Sequence, residues 1–79
     1  MVMQHVTLKL IDPKRNCFRH YAITECKTLF EDHALLISWG RIGKAPRTRC
    51  EVFASEGALN KRRDALLAVR RAHGYQPEA

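Results

Sequence analysis

Residues 38–43 read Ser-Trp-Gly-Arg-Ile-Gly and hold the single tryptophan of the chain. Tryptophan offers a flat apolar face, and arginine a planar cation with five donors. Two residues apart on a strand, Trp39 and Arg41 would leave the same face. A stacking ring beside a guanidinium suits a sugar–phosphate target, and equally a protein carboxylate. Arg41, Lys44, Arg47 and Arg49 lie within nine positions. They read as a phosphate-binding loop beside the ring, against the plainer reading of a solvated basic loop. Trp39 itself is either an exposed stacking platform or a core residue anchoring a sheet. Gly40 removes a side chain where backbone or ligand comes close, or marks a simple bulge.

Other reactive residues form no comparable constellation. His5, His20, His33 and His73, with Cys17, Cys26 and Cys50, have neither the i, i+4 nor the Cys-x-x-Cys spacing of zinc ligands. No metal or other cofactor is expected. A nucleophile needs an adjacent base and a third, orienting group. Ser38, Ser55 and the cysteines have no such local context, so no catalytic residue is assigned and the chain is not read as an enzyme. Cys50, on an expected strand, reads as packed core.

The elements that must position Trp39 follow from hydrophobic period. Val2 to Ile11 alternates weakly and reads as a half-buried strand. Asp12-Pro13-Lys14-Arg15-Asn16 is a turn cluster. Cys17 to Cys26 reads as a second strand, with Tyr21 and Ile23 on one face and Phe18, His20 and Ala22 on the other, completing a hairpin. Lys27 to Phe30 reads either as an extension of that strand or as a connection, and Glu31-Asp32-His33 as the next turn. Ala34 to Arg41 is the third strand, Gly43 to Arg49 a loop, and Cys50 to Ala54 a short fourth strand. From Ser55 the period becomes helical. Ser55 is placed to cap, Glu56 suits the positive end of the helix, and Arg70 and Arg71 suit the negative end. Ala58, Leu59, Ala65, Leu66, Val69 and Ala72 fall on one arc, which Arg62 interrupts. Gly74 is placed as the stop, with Tyr75 folding back on the last turn. The result is an α+β fold: an antiparallel sheet of about four strands with one long C-terminal helix packed on one face. The opposite face and the loop rims are the expected binding surface.

At 79 residues the chain is expected to form one domain over 1–79, with its core within about 5–75. Fourteen Lys and Arg against eight Asp and Glu give a net charge of +6, and nine of the fourteen are Arg. An excess of this size in so small a domain favours a polyanionic partner. No apolar run approaches the roughly 18 residues of a membrane span, and the N-terminal residues lack the pattern of a signal peptide. Three widely spaced cysteines argue for reduced thiols in a cytoplasmic setting.

The order of these features resembles the WGR domain family. The resemblance rests on Trp39-Gly40-Arg41-Ile42-Gly43 and its apolar run-in, the strand around His20-Tyr21-Ala22-Ile23, the helix, and the closing Gly74-Tyr75. It implies a stand-alone domain of bacterial type, related to a module of poly(ADP-ribose) polymerases. In the polymerases that sense DNA breaks, the motif tryptophan packs on a terminal sugar and the motif arginine works at an interdomain contact. Carried over, Trp39 would stack at a strand end and Arg41 would make a phosphate or interdomain contact. Ala45-Pro46 stands where bacterial members often have another glycine. Residues and resemblance together predict a small non-catalytic module that binds nucleic acid, DNA above all, with little sequence preference. Strand ends or single-stranded segments would be favoured, through Trp39, Gly40, Arg41, Lys44, Arg47 and Arg49. The alternative is a protein-interaction module that docks an acidic partner through the Trp39/Arg41 rim.

Overall fold

Alternating apolar residues in the first half of the chain make strands, and a 3.6-residue period in the second half makes a helix. The computed structural model describes residues 5–27 and 33–77. Strand β1 (His5–Asp12) leads through a short 3-10 turn at Pro13–Arg15 into β2 (Cys17–Lys27). Asn16 closes that turn with a φ of 51°, a left-handed conformation that asparagine tolerates better than most residues. Strands β3 (His33–Arg41) and β4 (Arg47–Phe53), helix α1 (Glu56–Ala72) and a two-residue strand β5 (Gln76–Pro77) follow. The expected strand over Val2–Gln4 and the expected turn at Glu31-Asp32 lie outside the described residues.

All strand pairs are antiparallel, in the order β4-β3-β2-β1-β5. The α+β architecture is thus the one expected, with β5 added as a fifth strand. One boundary changes more. The fourth strand begins at Arg47 rather than Cys50, so Arg47 and Arg49 are strand residues and not loop residues. Register sets Val6, Leu8 and Leu10 of β1 against Ile23, Tyr21 and Arg19 of β2. Ile23 and Tyr21 in turn face Ile37 and Trp39 of β3, and Ile37 and Trp39 face Arg49 and Arg47 of β4. This face carries the helix. Leu8, Tyr21, Ile23, Leu35 and Ile37 are buried there with Leu59, Leu67 and Tyr75.

Both ends of α1 are built as the sequence indicates. The Ser55 side chain accepts a hydrogen bond from the Ala58 amide at 3.2 Å. At the other end the Tyr75 amide donates to the Arg70 carbonyl and the Gly74 amide to the Arg71 carbonyl, at 3.1 and 3.0 Å. Those paired bonds define a Schellman stop, which Gly74 permits with a φ of 97°. The buried face differs from the one expected. Leu59 and Leu67 are buried and Leu66 half-buried, while Ala65 and Ala72 are exposed and Val69 is 51% exposed. Arg63 and Arg70 fill the other inward positions. The core arc is therefore turned by about 100°, one residue's step, from the alanine-rich arc. Two ion pairs join the helix to the sheet in this orientation: Arg63 with Glu25 of β2 and Arg62 with Glu51 of β4.

Among the described residues no helix packs on the opposite sheet face, although Ala34 on it is buried. Thr7, His5 and Thr24 form a hydrogen-bonded chain across it, at 3.0 and 2.6 Å. Ile11, Leu36 and Val52 are exposed hydrophobics on it. Cys50 lies exposed on this side, not in the core, because β4 is an edge strand and nothing among the described residues covers it. No described helix is long and apolar enough to cross a membrane.

Candidate anion-binding groove

Gly40 stands between Trp39 and Arg41 on β3. Gly40 has a φ of 150°, a conformation that strains any residue with a Cβ. A Cβ there would lie 3.7 Å from the Pro46 Cα and 3.8 Å from the His20 ring, so the following loop passes close over this point. Beyond Gly40, the Arg41 guanidinium reaches to the end of the first hairpin. It donates to the Asn16 carbonyl and to Asn16 Oδ1, both at 3.2 Å, and lies 5.6 Å from the Phe18 ring centre. Register keeps Trp39 and Arg41 at same-face positions of β3, but their side chains have different partners: Arg41 braces the β1–β2 turn, and Trp39 packs against the core beside the helix. The Lys44 amide closes a turn on the Arg41 carbonyl at 3.1 Å, and its side chain is exposed.

Trp39 is neither fully exposed nor fully in the core. It is half-buried and packs against the core. It also lines a groove of about 240 Å³ with Tyr21, Ile37, Arg49, Glu51, Arg62, Leu66 and Arg70. The groove exists because a single helix cannot span the sheet. It opens on the helix side, between α1 and β4, and not on the opposite face that the sequence pointed to. Arg47 stands beside it, directly across the strands from Trp39. Of the six expected site residues, Trp39, Arg47 and Arg49 are thus gathered here, Gly40 shapes the neighbouring backbone, and Arg41 and Lys44 lie elsewhere.

Three charged groove residues, Glu51, Arg62 and Arg70, are not among the site residues expected from the sequence. In the sequence Arg62 interrupts the apolar arc and, with Lys61, Arg63, Arg70 and Arg71, reads either as a basic stripe on the helix or as a solvated face. It donates from Nε to Glu51 Oε1 at 2.9 Å and from Nη2 to Oε2 at 3.3 Å. Arg49 Nε sits 3.3 Å from the same Oε2. The hydrogen bond from Arg62 holds the Glu51 carboxyl below the usual carboxylate range, with its charge and that of Arg49 adding to the effect against partial burial. The same contact raises the already high Arg62 value. Arg70 is different. Its guanidinium lies 4.4 Å from the Tyr21 ring centre and 5.8 Å from that of Tyr75, and its buried Nε has no hydrogen-bond partner. The lining therefore holds three guanidiniums and one carboxylate beside an indole. That set can bind an anion attached to a flat or ring-shaped group. It contains no nucleophile–base pair. Among the described residues no group of three or more His, Cys, Asp or Glu is placed to hold a metal.

A model of the WGR domain family matches residues 4–79. The chain is also 37% identical over 67 residues to an uncharacterized protein, y4dW, of Sinorhizobium fredii, an alignment covering 85% of this chain and 33% of that protein. The chain thus spans about a third of the length of that curated relative. No solved structure matches it.

Proposed function

This chain belongs to the WGR domain family, and we propose that it serves as a non-catalytic nucleic-acid-binding module whose contact site is the groove at Trp39. DNA is the preferred target, with strand ends and single-stranded segments favoured over duplex interior. The observation that carries this reading is the placement of the only tryptophan against Arg49, Arg62 and Arg70 in one open groove. A groove of about 240 Å³ takes one sugar–phosphate unit rather than a duplex. A terminal or unpaired nucleotide can reach it, whereas a stacked, paired one cannot without being extruded at a cost of a few kcal/mol. Sequence preference is weak because ring stacking and phosphate contacts carry little base information.

Fluorescence anisotropy of a labelled single-stranded oligonucleotide tests the reading. About four arginine contacts (Arg47, Arg49, Arg62 and Arg70) predict that log K falls with log salt at a slope of about −3. Linear duplex should compete and closed-circular duplex of the same sequence should not. Binding indifferent to salt removes the nucleic-acid reading, and equal competition by closed circles removes the preference for ends.

One observation favours the second reading, an acidic protein segment docked at the Trp39 rim. The anion already seated on Arg49 and Arg62 is a carboxylate, that of Glu51. Displacement of the oligonucleotide by a poly-glutamate peptide at equal charge concentration distinguishes the two. The nucleic-acid reading expects the peptide to compete poorly, because it has no ring to stack on Trp39.

A further inference from the structure

We propose that Glu51 is the residue that sets the affinity of the groove: its carboxylate occupies the anion position on Arg62 and Arg49 in the free protein, and an incoming phosphate must displace it. The inference rests on the nucleic-acid reading of the groove and deepens it. A guanidinium recognises a phosphate best through two parallel donors on one edge. In Arg62 the Nε and Nη2 donors of one edge are both given to Glu51, at 2.9 and 3.3 Å. Arg49 spends its Nε on the same carboxylate at 3.3 Å. Two of the three lining arginines are thus engaged by an internal anion, and only Arg70, whose Nε has no partner, is uncommitted to a carboxylate.

Glu51 is well placed to hold this position and to yield it. Its side chain is only 16% exposed, yet it stands on β4, the outermost strand of the sheet. A change of rotamer therefore carries the carboxylate toward solvent without disturbing the core. The lowered carboxyl value means that the group is charged throughout the neutral range. The competition is therefore constant there and not a pH switch.

The test compares wild type, Glu51→Gln and Glu56→Gln by anisotropy with a labelled twelve-nucleotide single-stranded DNA. Glu56 lies in the first turn of α1, outside the groove lining, and its replacement changes net charge by the same amount. Glu51→Gln should bind about tenfold more tightly, with a salt slope like that of wild type, because the same phosphates are neutralised in both complexes. Glu56→Gln should gain no more than about twofold, the effect of net charge alone. Glu51→Ala is the second variant. It removes the internal anion outright and should also bind more tightly, provided its circular dichroism is native. If wild type binds and both Glu51 variants bind equally well or less well, the proposal falls while the nucleic-acid reading stands, and Glu51 is then a strut for Arg62. Equal gains in the Glu51 and Glu56 variants overturn it as well, in favour of net charge. If no variant binds, both readings fail.

Discussion

The Arg70 guanidinium carbon lies 4.4 Å from the centre of the Tyr21 ring, stacked on the aromatic at the heart of the core. This contact has opposing terms of similar size. A cation on an aromatic face stabilises by about 0.5–2 kcal/mol, and a buried donor without a partner costs about 1–3 kcal/mol. The Arg70 Nε is such a donor. The balance leaves little net gain for the fold, so the residue is better explained by what enters the groove.

Arg70→Met follows from that balance. The thioether keeps the stem and a favourable contact with the ring but removes the charge and the unpaired donor. The melting temperature should stay within a few degrees of wild type or rise. Affinity for single-stranded DNA should fall roughly five- to tenfold, somewhat more than one lost phosphate contact at moderate salt. A large drop in melting temperature with unchanged affinity would make Arg70 a structural cation.

The helix face gives a second prediction. Leu67 is 7% exposed and packs with Leu59, Leu8 and Tyr75 in the core cluster. Leu67→Ala should cost about 2–5 kcal/mol, a large share of the stability of a domain this small. Val69, at 51% exposure, lies on the alanine-rich arc that the helical period of the sequence favours. Val69→Ala should change stability by no more than about 0.5 kcal/mol. Denaturant melts of the two variants decide which face is buried, and the reverse order would restore the alanine-rich arc.

Acid stability follows from Glu51. Its folded carboxyl value lies below the reference of 4.5, chiefly through the Arg62 hydrogen bond. The unfolded chain therefore binds this proton more readily than the folded one. The resulting stabilisation is complete above about pH 5 and is lost as pH falls through the folded value. Wild type should lose more melting temperature between about pH 6 and pH 3 than Glu51→Gln does, because the variant has no proton to take up there. Parallel losses in the two proteins would show that the Glu51–Arg62 pair adds nothing to folding.

Much of this was legible in the chain. The Pro13–Asn16 hairpin turn, the apolar run into Trp39, the Ser55 cap and the Gly74 stop are local features. Each was read from residues within a few positions of one another. What the sequence hid depends on tertiary contact. Arg63 and Arg70 occupy core-facing helix positions because Glu25 and the Tyr21 ring receive their cations. A rule that sends charge outward therefore selects the wrong arc. Arg47-Thr48-Arg49 reads as a loop, since an edge strand is solvated and need not be apolar. Strand β5 is two residues long and leaves no period to detect. Arg62 and Glu51 are eleven positions apart on different elements, so their pairing had no signal in the sequence. Gly40 reads as permitting close approach, but its φ of 150° and the Pro46 backbone that passes over it are properties of the folded chain.

The most direct measurement uses the single tryptophan as its own probe. Intrinsic fluorescence is followed while unlabelled single-stranded DNA is added, with anisotropy of a labelled copy recorded under the same conditions. If the groove at Trp39 is the contact site, emission is quenched with the midpoint given by anisotropy, and salt reverses both together. Binding detected by anisotropy with Trp39 emission unchanged in intensity and wavelength would contradict the account, because the nucleic acid would then be held away from the groove.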